Sequence, residues 1–240
     1  MLRELVLMKE GGPQTNFTSE TWKDASLVTP RHAIQRLWNE TALLKHGKKA
    51  RHMILECEAD ETIKGQPLTL REKVAAFARQ KNLDSRQQKQ DLPLTVQMAI
   101  GMKVMVTQNL ITDLDITNGA RATIVDIWLH PDEPAITDVQ PILKLKHLPV
   151  CILVKLHHTR TSQLKGLEES VIPVEPTTQT YRITCQGTEG NDIQRSVRQR
   201  QFPMTPAYAF TDYRSQGQTL SAVIVDIATP PTGKVYIICA

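Results

Sequence analysis

Residues 203–227 read PMTPAYAFTDYRSQGQTLSAVIVDI. Small and aromatic side chains from Ala207 to Phe210 make a strand-like run. A polar loop, Thr211 to Thr219, follows, and then an apolar strand from Val223 that ends in an acid, Asp226. A polar loop held between two buried strands is the arrangement expected of a ligand-facing loop. Thr211, Ser215 and Gln216 offer short hydroxyl and amide groups, and Arg214 offers a fixed positive charge. Gly217 lets a backbone approach closely, and Tyr213 presents a flat face for a base. Such a mixture suits a sugar–phosphate chain. The alternative is a hairpin loop whose polarity is incidental.

Upstream, the chain divides into three stretches. From Asn16 to Asp91, Ala25–Val28 reads as a short buried strand. Thr29 and Pro30 follow as N-cap and first helical position. Ile34, Leu37, Trp38 and Ala42 recur at helical spacing, which predicts an amphipathic helix over 31–46. Residues 53–57 alternate as a strand, 69–81 read as a second helix, and the polar 82–91 as a loop or frayed helix end. In the stretch 92–129, Met102, Val104 and Val106 alternate with Lys103, Met105 and Thr107. Gly101 precedes that strand, and Asn118-Gly119 signals a tight turn before another strand, which predicts a hairpin with a long connection. From 130 onward, strands are expected at 142–146, 150–156, 171–174, 180–185 and 222–227. That regular spacing suggests a small antiparallel barrel or sandwich inserted before the last segment.

Composition narrows the classes. A chain of 240 residues can form one or two domains with real cores. The net charge of +4 permits nucleic-acid binding without arguing for it. No run of about 18 or more apolar residues occurs, so no membrane partner is expected. The N-terminal stretch lacks the apolar core of a secretion signal. Cys57, Cys151, Cys185 and Cys239 are far apart, with no C-x-x-C pair, so no zinc site is expected and reduced thiols are. The chain contains no G-x-x-x-x-G-K-[ST], no G-x-S-x-G and no H-E-x-x-H. It therefore carries no loop of backbone N–H groups to cradle a β-phosphate. His157-His158 falls in a strand, where neighbours face opposite ways, and reads as an exposed histidine beside a packed one. The basic run Lys45–His52 reads as a solvated helix end or as a phosphate contact, the former favoured by composition.

Segment 203–227 resembles the motif P-L-x-x-A-(Y/W)-A-x-T-I-H-K-S-Q-G-Q-T-L of the Pif-type DNA helicases, superfamily-one motors that move 5′→3′. The variant T-D-Y-R-S-Q-G-Q-T-L is similar to the helicase part of fungal Helitron-like elements. Two further segments agree in order: LPLTVQMAIGMKVMVTQNLITDLDITNGARATIVDI (92–127) and WKDASLVTPRHAIQRLWNE (22–40). Together they span roughly Trp22 to Thr232.

The resemblance implies an α/β fold. It would be an incomplete RecA-like second helicase domain of the P-loop NTPase type, with a small antiparallel β-barrel inserted. The expected organisation is a tail at 1–15, the RecA-like domain at 16–120 and 202–240, and the barrel at 121–201. The implied partners are single-stranded DNA and a first RecA-like domain ahead of residue 1, which would carry the phosphate loop and the Mg²⁺-binding acids. ATP and Mg²⁺ are the implied cofactors, and the nucleus the implied compartment. Carried over by position, Thr29, Arg31, Asn109, Asn118, Gly119, Thr211, Tyr213, Arg214, Ser215 and Gln216 are expected to meet nucleic acid. Gly217 and Gln218 are expected to meet the nucleotide, and no residue is assigned as catalytic or metal-binding. Three departures stand out. Asp212-Tyr213-Arg214 replaces Ile-His-Lys, and Ala122 replaces the second glycine of N-G-x-x-G. After PPTG the chain reads Lys234 to Ala240 in place of Y-V-A-L-S-R, whose arginine reaches the ATP γ-phosphate. The chain is thus expected to be part of a DNA helicase that is not competent alone. The other readings are a non-catalytic single-strand-binding module and a degenerate mobile-element fragment.

Overall fold

The computed structural model describes residues 22, 25–50, 53–82, 92–110, 117–136, 140–158, 163–186, 191–211, 215, 220 and 222–226. Along the chain, β1 (Ser26–Val28) leads into α1 (His32–Ala50), then β2 (Ile54–Glu58), β3 (Asp60–Ile63), β4 (Gln66–Pro67) and α2 (Leu70–Asn82). Next come β5 (Thr95–Met98), β6 (Lys103–Val106), β7 (Arg121–Trp128), β8 (Ile142–Lys144), β9 (Cys151–Leu156) and β10 (Val171–Val174). The last are β11 (Thr177–Gln186), β12 (Asp192–Gln201), β13 (Met204–Pro206), β14 (Ala209–Phe210) and β15 (Val223–Val225). Two compact units result, Met1–Trp38 with Tyr208–Ala240, and Asn39–Ala207.

In the first unit β1 is the middle strand of a parallel sheet ordered β14-β1-β15. Leu27, Val28, Ala209 and Phe210 are buried there, as expected of parallel strands. The helix starts later than expected. Gln35 N–H donates to the Arg31 carbonyl (3.0 Å), which makes Arg31 the N-cap. The Thr29 hydroxyl instead accepts from the Arg31 N–H (3.1 Å), a local turn of the kind Ser and Thr favour. The buried side of α1 also differs from the expected stripe. Leu37 and Trp38 are exposed, whereas Asn39, Leu43 and Gly47 are buried. Spacing by four had been hidden because two of those three positions are not apolar.

The second unit holds a five-stranded antiparallel sheet, β10-β9-β7-β6-β13. The expected hairpin is its centre, with Lys103, Val104 and Met105 opposite Thr123, Ala122 and Arg121. Val104, Met105 and Val106 are all buried, so alternation understated this strand, which is covered on both faces. Gly101 and Gly119 take φ of 78° and 96°, the left-handed region that favours glycine.

A four-stranded sheet, β11-β12-β3-β4, forms a second layer system. Lys64 and Gly65 join β3 to β4 with φ of 51° and 80°, the two positive values of a type I′ hairpin. Helix α2 covers one face. Ile63, Leu68, Ala76, Tyr181, Ile183, Cys185 and Val197 pack together there, and the Arg79 guanidinium lies 4.4 Å from the Tyr181 ring centre. Thr69 and Glu72 cap the helix reciprocally. The Thr69 N–H and hydroxyl both donate to Glu72 Oε2 at 2.8 Å, and Glu72 N–H returns to the Thr69 hydroxyl. This is a capping box.

The expected closed barrel at 121–201 is not what forms: among the described residues every sheet is open. Strands from this interval are shared out. β7 pairs with β6, β12 pairs with β3, and β8 runs parallel to β2. Each of those partners precedes residue 121, so the interval does not close on itself. β12 had gone unread because DIQRSVRQRQ shows no apolar alternation. Its buried positions include Gln199 and Gln201, and these hold the unit together. Gln201 Nε2 donates to the carbonyls of Cys57 (3.3 Å) and Leu94 (3.4 Å), and its Oε1 accepts from Phe202 N–H (2.9 Å). Gln199 Nε2 donates to the carbonyls of Leu92 and Pro93.

Gln201→Leu keeps the volume and removes the acceptor of the buried Phe202 N–H and one donor from the carbonyls of Cys57 and Leu94, the latter keeping Ala59 N–H (2.7 Å). An orphaned buried group costs about 1–3 kcal/mol, so a stability loss of about 2 kcal/mol is expected. Urea denaturation reads it, and a loss below about 0.5 kcal/mol would mean that Gln201 is incidental. Acid tests the α2 cap. The Thr69 N–H, then the Thr69 hydroxyl and Arg195, hold the Glu72 carboxyl below its ordinary value. A depressed folded-state pKa gives stability that is complete above the unfolded value, about 4.3. It is lost as pH falls through the folded value. Glu72→Gln should therefore flatten the fall in stability below about pH 4.3, and equal acid sensitivity in both proteins would contradict the cap.

Candidate nucleic-acid interface

The three parallel strands of the first unit end in register, Val28 beside Phe210 and Val225. The residue after each end is polar: Thr29, Thr211 and Asp226. The backbone continues the ladder through them, Thr29 N–H to the Phe210 carbonyl (3.0 Å) and Asp226 N–H to the Val28 carbonyl (2.8 Å). The carboxyl ends of parallel strands are where open α/β sheets take ligands.

One carboxylate oxygen organises this edge. Asp226 Oδ2 accepts from the Thr29 hydroxyl (2.6 Å), Arg31 Nε (2.9 Å) and Arg31 Nη2 (2.7 Å). Thr29 is fully buried, so its hydroxyl is committed inward. The Arg31 side chain remains 39% exposed, and a guanidinium has five donors, of which two are used on Asp226. Gln35 Nε2 reaches the Ala209 carbonyl (3.3 Å) and ties the helix start to β14. Thr211 is 4% exposed, and its hydroxyl oxygen has no hydrogen-bond partner. Ser215 N–H donates to the Thr211 carbonyl (3.1 Å).

Four residues expected from the sequence to meet nucleic acid, Thr29, Arg31, Thr211 and Ser215, thus belong to one unit, three of them at or beside one sheet edge. Asp226 was read only as the acid ending a strand. Its position directly after an apolar run was the available signal. Tyr213, Arg214, Gln216, Gly217 and Gln218 lie outside the described residues. Asn109, Asn118 and Gly119 belong to the second unit, at the base of the β6–β7 connection. Asn118 N–H donates to Asn109 Oδ1 (2.7 Å), and Gly119 N–H to the Val106 carbonyl (2.8 Å). The Asn109 side chain therefore closes the loop on itself, and both asparagines are exposed.

Other sequence candidates resolve into structure. His157 and His158 follow β9 and are both exposed, because the strand stops at Leu156. His46 hydrogen-bonds the Ile100 carbonyl (2.9 Å). Cys57, Cys151 and Cys185 are buried free thiols, and burial pushes Cys57 up to about 12. Among the described residues no group of three or more His, Cys, Asp or Glu could hold a metal ion, and no helix is long and apolar enough to cross a membrane.

No family model and no curated protein matches the sequence. Solved structures do resemble the fold. The Pif1 helicase from Candida albicans superposes with a TM-score of 0.50 at 19% identity, over 90% of this chain and 41% of that one. A Bacteroides Pif1 bound to single-stranded DNA gives 0.52 at 15% identity, over 90% and 37%. The chain thus spans about two-fifths of the length of these helicases. At such identities the likeness is one of fold. The chain has the fold of the matching part of a Pif1-type helicase.

Proposed function

We propose that this chain is the second motor half of an ATP-dependent 5′→3′ DNA helicase, binding single-stranded DNA and forming one wall of an ATP cleft. The observation that carries this reading is the sheet edge where Thr29, Thr211 and Asp226 follow three parallel strands in register. In this reading Thr29 and Asp226 position Arg31, whose unused donors suit phosphate oxygens. The orphaned Thr211 hydroxyl supplies a further donor. Tyr213 stacks on a base, while Arg214, Ser215 and Gln216 follow the backbone. Asn109, Asn118 and Gly119 make a second contact to the strand. The Bacteroides Pif1 structure named above is bound to single-stranded DNA, which agrees with this assignment.

The residues present suit one phosphate-contacting wall and do not make a complete nucleotide site. The chain has no phosphate-loop motif and, among its described residues, no acid cluster for Mg²⁺. Gly217 and Gln218 are the positions proposed to face the nucleotide. ATP hydrolysis then requires groups from outside this sequence, and the chain alone should hydrolyse no ATP with or without DNA. Turnover that copurifies with the chain and survives substitution of Arg31 and Thr211 would overturn that division of labour. The absence of a phosphate-loop motif also favours a second reading, a non-catalytic single-strand-binding module. Titrating a separately supplied first motor domain separates the two, since only the helicase reading expects DNA-stimulated hydrolysis from the mixture.

Thr211→Val tests the edge. Replacing a buried, unsatisfied hydroxyl by a methyl should raise the stability of the free chain by about 1 kcal/mol while weakening binding of an oligo-dT strand. Unchanged affinity would remove Thr211 from the interface. Arg214→Ala should lower the slope of log affinity against log salt by about one unit or less, as loss of one phosphate contact does. Tyr213→Ala should cost about 1–3 kcal/mol of strand affinity, and Tyr213→Phe little. A drop in melting temperature with preserved affinity would instead make Tyr213 a packing residue.

A further inference from the structure

The sheet β11-β12-β3-β4 has one covered face and one open face. Tyr181, Ile183, Cys185 and Val197 turn toward α2 and are buried. The alternate positions turn the other way. The ladder sets Thr178 beside Arg200, Thr180 beside Arg198 and Arg182 beside Ser196, and all of them are exposed. Arg198 and Arg200 are two positions apart on β12, about 7 Å. Arg182 is one diagonal step from Arg198, about 7–8 Å. Among the described residues, none of these three guanidiniums makes a hydrogen bond or an ion pair. Asp60 stands opposite Arg200 without pairing with it. A further acid, Asp192, lies near the far end of β12, about 20 Å from Arg198 along the strand. Like charges held this close on neighbouring strands oppose folding, so the row costs stability and returns nothing within the sheet.

We propose that this face binds the phosphate backbone of duplex DNA, as a surface separate from the sheet edge of the first unit. Arginine and short hydroxyl side chains are the groups that reach phosphate and sugar oxygens. A row of cations at nearly even steps suits an evenly charged backbone. Single strands are held by flat rings on which bases stack, and the outward positions of these strands carry none. A duplex keeps its bases stacked inside and asks for no ring. Apart from Pro67 at its edge, the face offers no apolar anchor among the described residues. That argues against a protein partner, whose interface needs a desolvated core, and against a lipid surface. Phosphate contacts carry no sequence information, so binding is indifferent to base sequence. The choice of DNA rests on the helicase reading above; the phosphate chemistry does not.

The test uses the full chain with a fluorescein-labelled short blunt DNA duplex and a labelled oligo-dT strand. For three phosphate contacts, duplex affinity should fall about fortyfold between about 0.05 and 0.2 M salt. The variant R182Q/R198Q/R200Q should bind the duplex at least about tenfold more weakly at the lower salt. Its slope of log affinity against log salt should be shallower by about two to three units. Its melting temperature should not fall, because the three side chains are exposed, and its oligo-dT affinity should stay. T180V/S196A should weaken duplex binding several-fold and keep the slope, because neutral groups release no counterions. Full duplex affinity in the arginine variant overturns the proposal. So does an equal loss of oligo-dT binding, which would make the face part of the single-strand site, or a lowered melting temperature, which would make the arginines structural. Competition by polyglutamate at matched charge would assign the face to an acidic protein instead. Sedimentation with phosphatidylcholine–phosphatidylserine vesicles, abolished in the arginine variant, would assign it to a lipid surface. Failure of the first unit's reading shows separately, as oligo-dT binding indifferent to Thr211→Val and Arg214→Ala while duplex binding persists.

Discussion

The second unit rests on a constraint more than on an attraction: a buried backbone carbonyl must find a donor. Residues 92–94 and Cys57 come together beside the end of β12, where Ala59 N–H already donates to the Leu94 carbonyl (2.7 Å). Gln199 and Gln201 add donors from their side chains, and Gln201 also accepts from Phe202 N–H. Two amides thereby join the approach to β5, the strand β2 and the end of β12. An apolar residue at Gln201 would fill the space and leave the buried Phe202 N–H without its side-chain acceptor, which costs more than the burial returns.

The first unit meets a comparable demand with charge. Three parallel strands ending in register leave polar residues crowded at one edge, and Asp226 satisfies Thr29 and Arg31 through a single oxygen. The carboxylate fixes the guanidinium without hiding it, since Arg31 keeps exposure and spare donors. Thr211, one strand over, lacks that compensation. A buried hydroxyl without a partner is a standing cost, and it lies at the carboxyl edge of a parallel sheet.

Charge, capping and core are separable in α2. Glu72 serves the cap and meets Arg195, so the helix start is set without any apolar contact on its outside.

Local signals in the sequence determined the elements whose physics is local. The Asn118-Gly119 turn, the 102–107 alternation, the apolar run before Thr29 and the spacing of 69–81 each specify a strand, turn or helix within about one turn's reach. Tertiary structure alone decided what depends on distant partners. Strand β12 is polar by composition, and its Gln199 and Gln201 are buried where Leu92, Pro93, Leu94 and Cys57 bring carbonyls to them. The inward face of α1 runs through Asn39 and Gly47, which no apolar periodicity marks. Among the described residues no sheet closes into a barrel, and strands from 121–201 pair with β3 and β6 from earlier in the chain. The edge formed by Thr29, Arg31 and Asp226 joins positions almost two hundred residues apart. Hydrogen-bond satisfaction and strand pairing act across space, and sequence spacing carries no record of which distant groups they will join.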